Sequence, residues 1–134
     1  MLQQISIFAE NKKGTMRTIT EILAREQISI LGSVTNDSAE YGIVRMVVSD
    51  PDKALQALID HGFICKSADV IGVEIEDEVG HLNKVLVALE DSNVNVNYLY
   101  LSFNRENGKP IIVLHAEDAG EVEMCLESRD FKIC

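Results

Sequence analysis

Two short stretches hold the residues best suited to chemistry: Glu10-Asn11-Lys12-Lys13-Gly14-Thr15-Met16 and Glu76-Asp77-Glu78-Val79-Gly80-His81-Leu82. In each, a polar run ends in glycine and passes into apolar residues spaced three and four apart, the pattern of a helix. A helix N-terminus presents backbone N–H groups without intrahelical partners and the positive end of the helix dipole, so it attracts a carboxylate. Gly14-Thr15-Met16 and Gly80-His81-Leu82 would supply those donors, and each glycine lets a ligand approach the backbone with no Cβ in the way. Glu10, Asn11, Glu76 and Asp77 add oxygens that suit an ammonium group. Taken singly, each residue also fits a solvated loop holding a tight turn. Taken together, the loops read as ligand-binding.

The elements that position these loops recur. Ile5 matches Ile71, Gly14 matches Gly80, Ile19 matches Val85, Leu23 matches Leu89 and Ile28 matches Val94, all at an offset of 66. After the 36–42 turn the offset becomes 68, with Asp50 matching Asp118 and Phe63 matching Phe131, so two residues are inserted in or near a hairpin loop. A period of this size signals duplication of a small α+β module. The first copy reads as strand 4–9, helix 15–26 with Thr15 as N-cap, strand 28–35, strand 43–49, a helix opened by Asp50-Pro51, and strand 63–66. The second reads as strand 70–75, helix 80–91, strand 94–103, strand 111–116, helix 118–128 and strand 131–133. Ser67-Ala68-Asp69 is the candidate linker between domains 1–68 and 69–134.

The chain has 134 residues, with 46% hydrophobic and 5% aromatic content and no Trp, so Ile, Val and Leu must fill the core. Two repeats of this size have thin cores alone and are expected to pack on each other. A formal charge of −10 repels phosphate backbones and anionic lipid, which argues against nucleic-acid and membrane partners. Cys65, Cys125 and Cys134 show no CxxC spacing and read as reduced thiols. With no basic segment or apolar run at the N-terminus, and no apolar run of membrane-spanning length, a soluble cytoplasmic protein is expected. His61 and Cys65 are four apart, but Gly62 ends the helix between them and no further ligand cluster follows, so no metal or other cofactor is expected. His115 lies in a strand and reads as structural.

Strand-helix-strand-strand-helix-strand is the ferredoxin-like order, so each half is expected to be a four-stranded antiparallel sheet with two helices on one face. Both repeats resemble ACT domains, small regulatory modules that bind amino acids in metabolic enzymes. The resemblance is carried by Asn11-Lys12-Lys13-Gly14-Thr15-Met16 and Glu78-Val79-Gly80-His81-Leu82, where a glycine is followed two residues later by an apolar residue, usually leucine. Lys13 and Val79 stand where a proline often precedes that glycine. The resemblance implies side-by-side packing into a pseudo-twofold eight-stranded sheet with four helices on one face. It also implies a ligand held between the loop of one repeat and the second strand of the other. Asn36, Asp37, Asn97 and Tyr98 thereby join Glu10, Asn11, Gly14, Thr15, Met16, Asp77, Val79, Gly80, His81 and Leu82 as ligand-binding residues. Tyr98 stands where the first repeat has Gly32, so the two pseudo-equivalent sites are expected to differ, with one binding better.

Strand 94–103 is apolar on both faces, with Val94, Val96, Tyr98 and Tyr100 on one and Leu99, Leu101 and Phe103 on the other. Such a strand is usually covered on both sides, so a homodimer stacked sheet to sheet is expected. The leading functional reading is a non-catalytic protein that binds a free amino acid and signals through a partner, such as a regulated enzyme, or through oligomer change. A pure interaction module with a vestigial pocket is the alternative. An enzyme would need an acid–base pair such as His81 with Glu10 or Asp77.

Overall fold

The computed structural model describes residues 1–36 and 41–134. They form two units, Gln3–Ala68 and Asp69–Cys134, the second including Met1–Leu2.

In the first unit β1 (Leu2–Glu10) buries Ile5, Ile7 and Ala9, the odd positions that a pleated strand directs to one face. After it, α1 (Thr15–Arg25) lays Ile19, Ile22 and Leu23 on that face. β2 (Ile30–Asn36) and β3 (Tyr41–Val48) follow, with β3 antiparallel to both β1 and β2 and Val44 opposite Ile7 and Thr35. Asp50 then caps α2 (Pro51–Asp60), its carboxylate accepting from Lys53 N at 3.3 Å with Pro51 in the first turn, as its sequence demands. The second unit repeats the plan with α3 (His81–Asp91), β5 (Tyr98–Phe103), β6 (Pro110–His115), α4 (Ala119–Glu127) and β7 (Lys132–Ile133). There β6 pairs with β5 and with the later half of β4 (Ile64–Glu74), and Val85, Ala88, Leu89, Val122 and Leu126 cover Ile71, Val73, Ile112 and Leu114.

Three features differ from the sequence reading. The described residues contain seven strands rather than eight, because 63–66 and 70–75 join into the single strand β4. Ser67-Ala68-Asp69 contains no proline or glycine, so nothing in it interrupts an extended backbone. Residues 94–97 are irregular and β5 begins only at Tyr98. Asn93 adopts φ 58° after α3 and Val94 N donates to Leu89 O at 2.9 Å, which turns Val94 inward. As a result Val94, Val96 and Leu99 pack on one core, instead of Val94 and Val96 sharing a face with Tyr100. Finally, Tyr100 is buried while Leu101 and Phe103 are exposed, so within the chain the strand is not covered along its length on both faces.

Candidate functional site

The loop after β1 is shaped by its own backbone. Lys12 N donates to Glu10 O at 2.9 Å and Thr15 N to Lys12 O at 3.3 Å, and Gly14 sits at φ 90°, ψ −8°. A residue with a Cβ is strained there, so glycine is what allows the chain to turn directly into α1. The helix N-cap is therefore Gly14 rather than Thr15, and no side chain caps it. The first i→i−4 bond runs from Thr18 N to Gly14 O at 3.0 Å, which leaves the N–H groups of Met16 and Arg17 as the uncapped donors of the first turn. Thr15 Oγ1 is shut off from solvent and has no hydrogen-bond partner among the described residues.

Two cavities adjoin this loop. One, of about 280 Å³, is lined by Glu10, Asn11, Thr15, Met16 and Asn36, five of the residues singled out in the sequence, together with Thr35, Gly42 and Val44. The other, of about 550 Å³, lies against Gly14, Lys13 and Arg17 and is floored by Phe8, Phe63 and Ile64. Glu10, Lys12 and Thr15 border both. Glu10 and Lys12 pair at 3.1 Å with both side chains well exposed, a contact that solvent screening leaves weak. Asp37 lies outside the described residues.

The second loop has the same backbone and different contents. Glu78 N donates to Glu76 O at 2.9 Å, His81 N to Glu78 O at 3.3 Å and Lys84 N to Gly80 O at 3.1 Å, and Gly80 sits at φ 86°. His81 turns back on its own loop, its Nδ1 lying 2.8 Å from Glu76 O. A carbonyl only accepts, so Nδ1 carries the proton. Asp77 and Gly80 are exposed, Val79 is fully so, and Leu82 packs against the second core. Glu76 holds Lys109 at 2.7 Å and keeps its ammonium pKa above the ordinary value. Two residues earlier, at the end of β4, the buried Glu74 accepts from Lys132 at 2.9 Å and from Asn104 at 2.7 Å. These bonds, that from Lys132 first, hold its carboxyl below the usual range. Asn97 and Tyr98 meet a residue that the sequence marked only as structural. The His115 ring stacks on Tyr98 at 4.9 Å between centroids and 4° between planes, and its Nδ1 lies 3.1 Å from Asn97 Oδ1.

Sequence reasoning missed Lys12, Lys13, Arg17, Tyr41 and Phe63 as cavity residues. The three cations had a visible signal, since they fall within six residues around a helix start. Tyr41 and Phe63 come from other elements and had none. Among the described residues no group of three His, Cys, Asp or Glu side chains can hold a metal ion, and His61 Nδ1 is engaged with Ala57 O at 2.8 Å. No helix among them is long and apolar enough to cross a membrane.

Each unit thus carries the βαββαβ order of a ferredoxin-like α+β module, with a glycine-led helix start beside its first strand. A family model described as an ACT domain pair matches residues 1–131, and the chain belongs to that family. A protein of Bacteroides thetaiotaomicron of known crystal structure is 34% identical, with 99% of this chain and 91% of that chain covered and a TM-score of 0.91. The regulatory subunit of aspartate kinase from Thermus thermophilus, in ligand-free form, is similar in fold at 16% identity and TM-score 0.69, covering 94% and 90% of the two chains. That of Thermus flavus matches at 19% identity and TM-score 0.65, covering 96% and 93%. No curated protein matches the chain.

Proposed function

We propose that this ACT pair is a cytoplasmic, non-catalytic regulatory protein that binds a free amino acid at the smaller cavity beside the β1–α1 loop. The supporting observation is that Glu10, Asn11, Thr15 and Met16, chosen from sequence for carboxylate and ammonium recognition, border one space together with Asn36, which the family resemblance implied as a second-strand contact. In this reading the N–H groups at the start of α1 take the ligand carboxylate, and the oxygens of Glu10, Asn11 and Asn36 take its ammonium. The volume lies near the lower end of small-molecule sites, which run from about 300 to 1,000 Å³. Output through an enzyme partner or homodimer belongs to the same proposal. Output then requires a ligand that binds two states of the protein with different affinity.

Thermal unfolding against each standard amino acid tests it. Ligand at about 100 times its Kd adds roughly 2.7 kcal/mol of stability, and a rise confined to one or two amino acids is expected. A flat panel would remove the reading and favour a protein-interaction module, for which the exposed Val79, Leu101 and Phe103 of the second unit are the motive.

A further inference from the structure

The larger cavity of the first unit is chemically distinct from the smaller one. Lys12, Lys13 and Arg17 line it against the single carboxylate of Glu10, in a chain whose formal charge is −10. Lys13 makes no hydrogen bond or ion pair among the described residues, and Arg17 reaches Glu21 only at 3.9 Å. The uncapped N–H groups of the first turn of α1 add a positive dipole end. Across from the cations, Phe8, Tyr41, Phe63 and Ile64 supply apolar surface, and Phe8, Tyr41 and Ile64 are left exposed. Lys66 stands over the Phe8 ring, 5.7 Å from its centroid. A cleft of one sign beside low-dielectric walls concentrates oppositely charged ligands.

Thr15, which borders this space, has a shielded hydroxyl with no hydrogen-bond partner among the described residues. A buried hydroxyl without a hydrogen bond is a cost that folded proteins rarely carry. Threonine in a helix occupies two χ1 rotamers, so a single rotation can bring Oγ1 round to a ligand in the space Thr15 borders. In the second unit the corresponding β-strand position to Phe8 is Glu74, already saturated by Lys132 and Asn104, so this arrangement has no counterpart there.

We propose that this cavity is a second ligand site, for a small organic anion: a phosphate monoester or carboxylate on an apolar, preferably aromatic, body. The anion lies against the Lys13 and Arg17 side chains, with Thr15 Oγ1 as donor, and the body lies on Phe8 and Phe63. The site stands apart from the amino-acid cavity, although the two share a wall.

The test is amide NMR titration of the full chain with phenyl phosphate, phenylacetate and inorganic phosphate. Phenyl phosphate or phenylacetate is expected to shift the amides of Lys13, Arg17, Gly62 and Ile64, and the tighter of the two names the anion. The Lys13→Glu/Arg17→Glu double variant, changed only at exposed side chains, should weaken binding about tenfold or more, as loss of charge-assisted hydrogen bonds requires. Thr15→Val keeps the shape and removes the orphan hydroxyl, so it should weaken binding without loss of melting temperature. No shift at these amides, a shift that persists in the double variant, or inorganic phosphate binding as tightly as phenyl phosphate would overturn the proposal. Amino-acid binding is read separately, at Asn11, Met16 and Asn36, and should survive in Phe8→Ala, which alters only the larger cavity, so failure of either site is visible alone.

Discussion

The loops at 10–17 and 76–83 share one backbone and almost no chemistry. Their glycines sit at φ 90° and 86°, and the same three backbone hydrogen bonds recur at matched positions. Yet the first carries three cations against one carboxylate, while the second carries three carboxylates with no lysine or arginine. The contrast continues into the strand before each loop, where Phe8 faces open space and Glu74 is locked to Lys132 and Asn104. What a duplicated module must keep is the set of residues that close its core and turn its chain. Its ligand-facing side chains are free to diverge, because they contribute little to closing either. One copy can then specialise in recognition while the other satisfies its polar groups internally.

If the cores are the retained part, matched core truncations should cost the same in both units. Leu23 and Leu89 are each 1% exposed at positions related by the repeat. Leu23→Ala and Leu89→Ala should each lower stability by about 2–5 kcal/mol, since a buried leucine leaves both lost transfer energy and a cavity. Urea denaturation measures both. A cost at one position less than half that at the other would break the equivalence of the two cores.

The divergent part has a pH signature. Glu74 has its carboxyl held below the ordinary value of 4.5, so the folded state binds this proton less readily than the unfolded chain does. Its contribution is complete above about pH 4.5 and is lost as pH falls through the lowered folded value. Glu74→Gln should therefore destabilise the protein at neutral pH, and the gap from the parent should narrow on acidification. A gap independent of pH would mean that the folded state does not hold this carboxyl below its ordinary value.

Much of this division was legible in the sequence. The helix stripes and the Asp50-Pro51 cap are local patterns that depend on neighbours a few residues away, and the repeat offset emerges from laying one half of the sequence on the other. The end of α1 and the start of α3 were placed within one or two residues for the same reason. The continuity of β4 through Ser67-Ala68-Asp69 was not legible, because polar residues are as compatible with an exposed strand as with a linker. Nor was the inward turn of Val94, which depends on a single left-handed residue at Asn93. For the site, Glu10, Asn11, Thr15 and Met16 were readable because they lie on one loop. Phe63 and Tyr41 come from elements about 50 and 30 residues away in sequence, and only the fold brings them to Gly14.

The smallest contrast lies at the helix ends. Gln27 and Asn93 occupy the same place in the two copies, at φ 59° and 58°. In each the following residue closes the helix, Ile28 N donating to Leu23 O and Val94 N to Leu89 O, both at 2.9 Å. This is the left-handed end that usually takes glycine, and it costs a residue with a Cβ about 1–2 kcal/mol. Asparagine tolerates the conformation better than glutamine, because its short side chain can hydrogen-bond locally. Gln27→Gly should therefore stabilise the protein by up to about 1 kcal/mol, and Asn93→Gly by less, as read from denaturant midpoints. Equal gains would show that the asparagine carries as much strain as the glutamine. A loss at Gln27 would show that its side chain, rather than its backbone, matters to the first unit, the unit whose helix start faces both cavities.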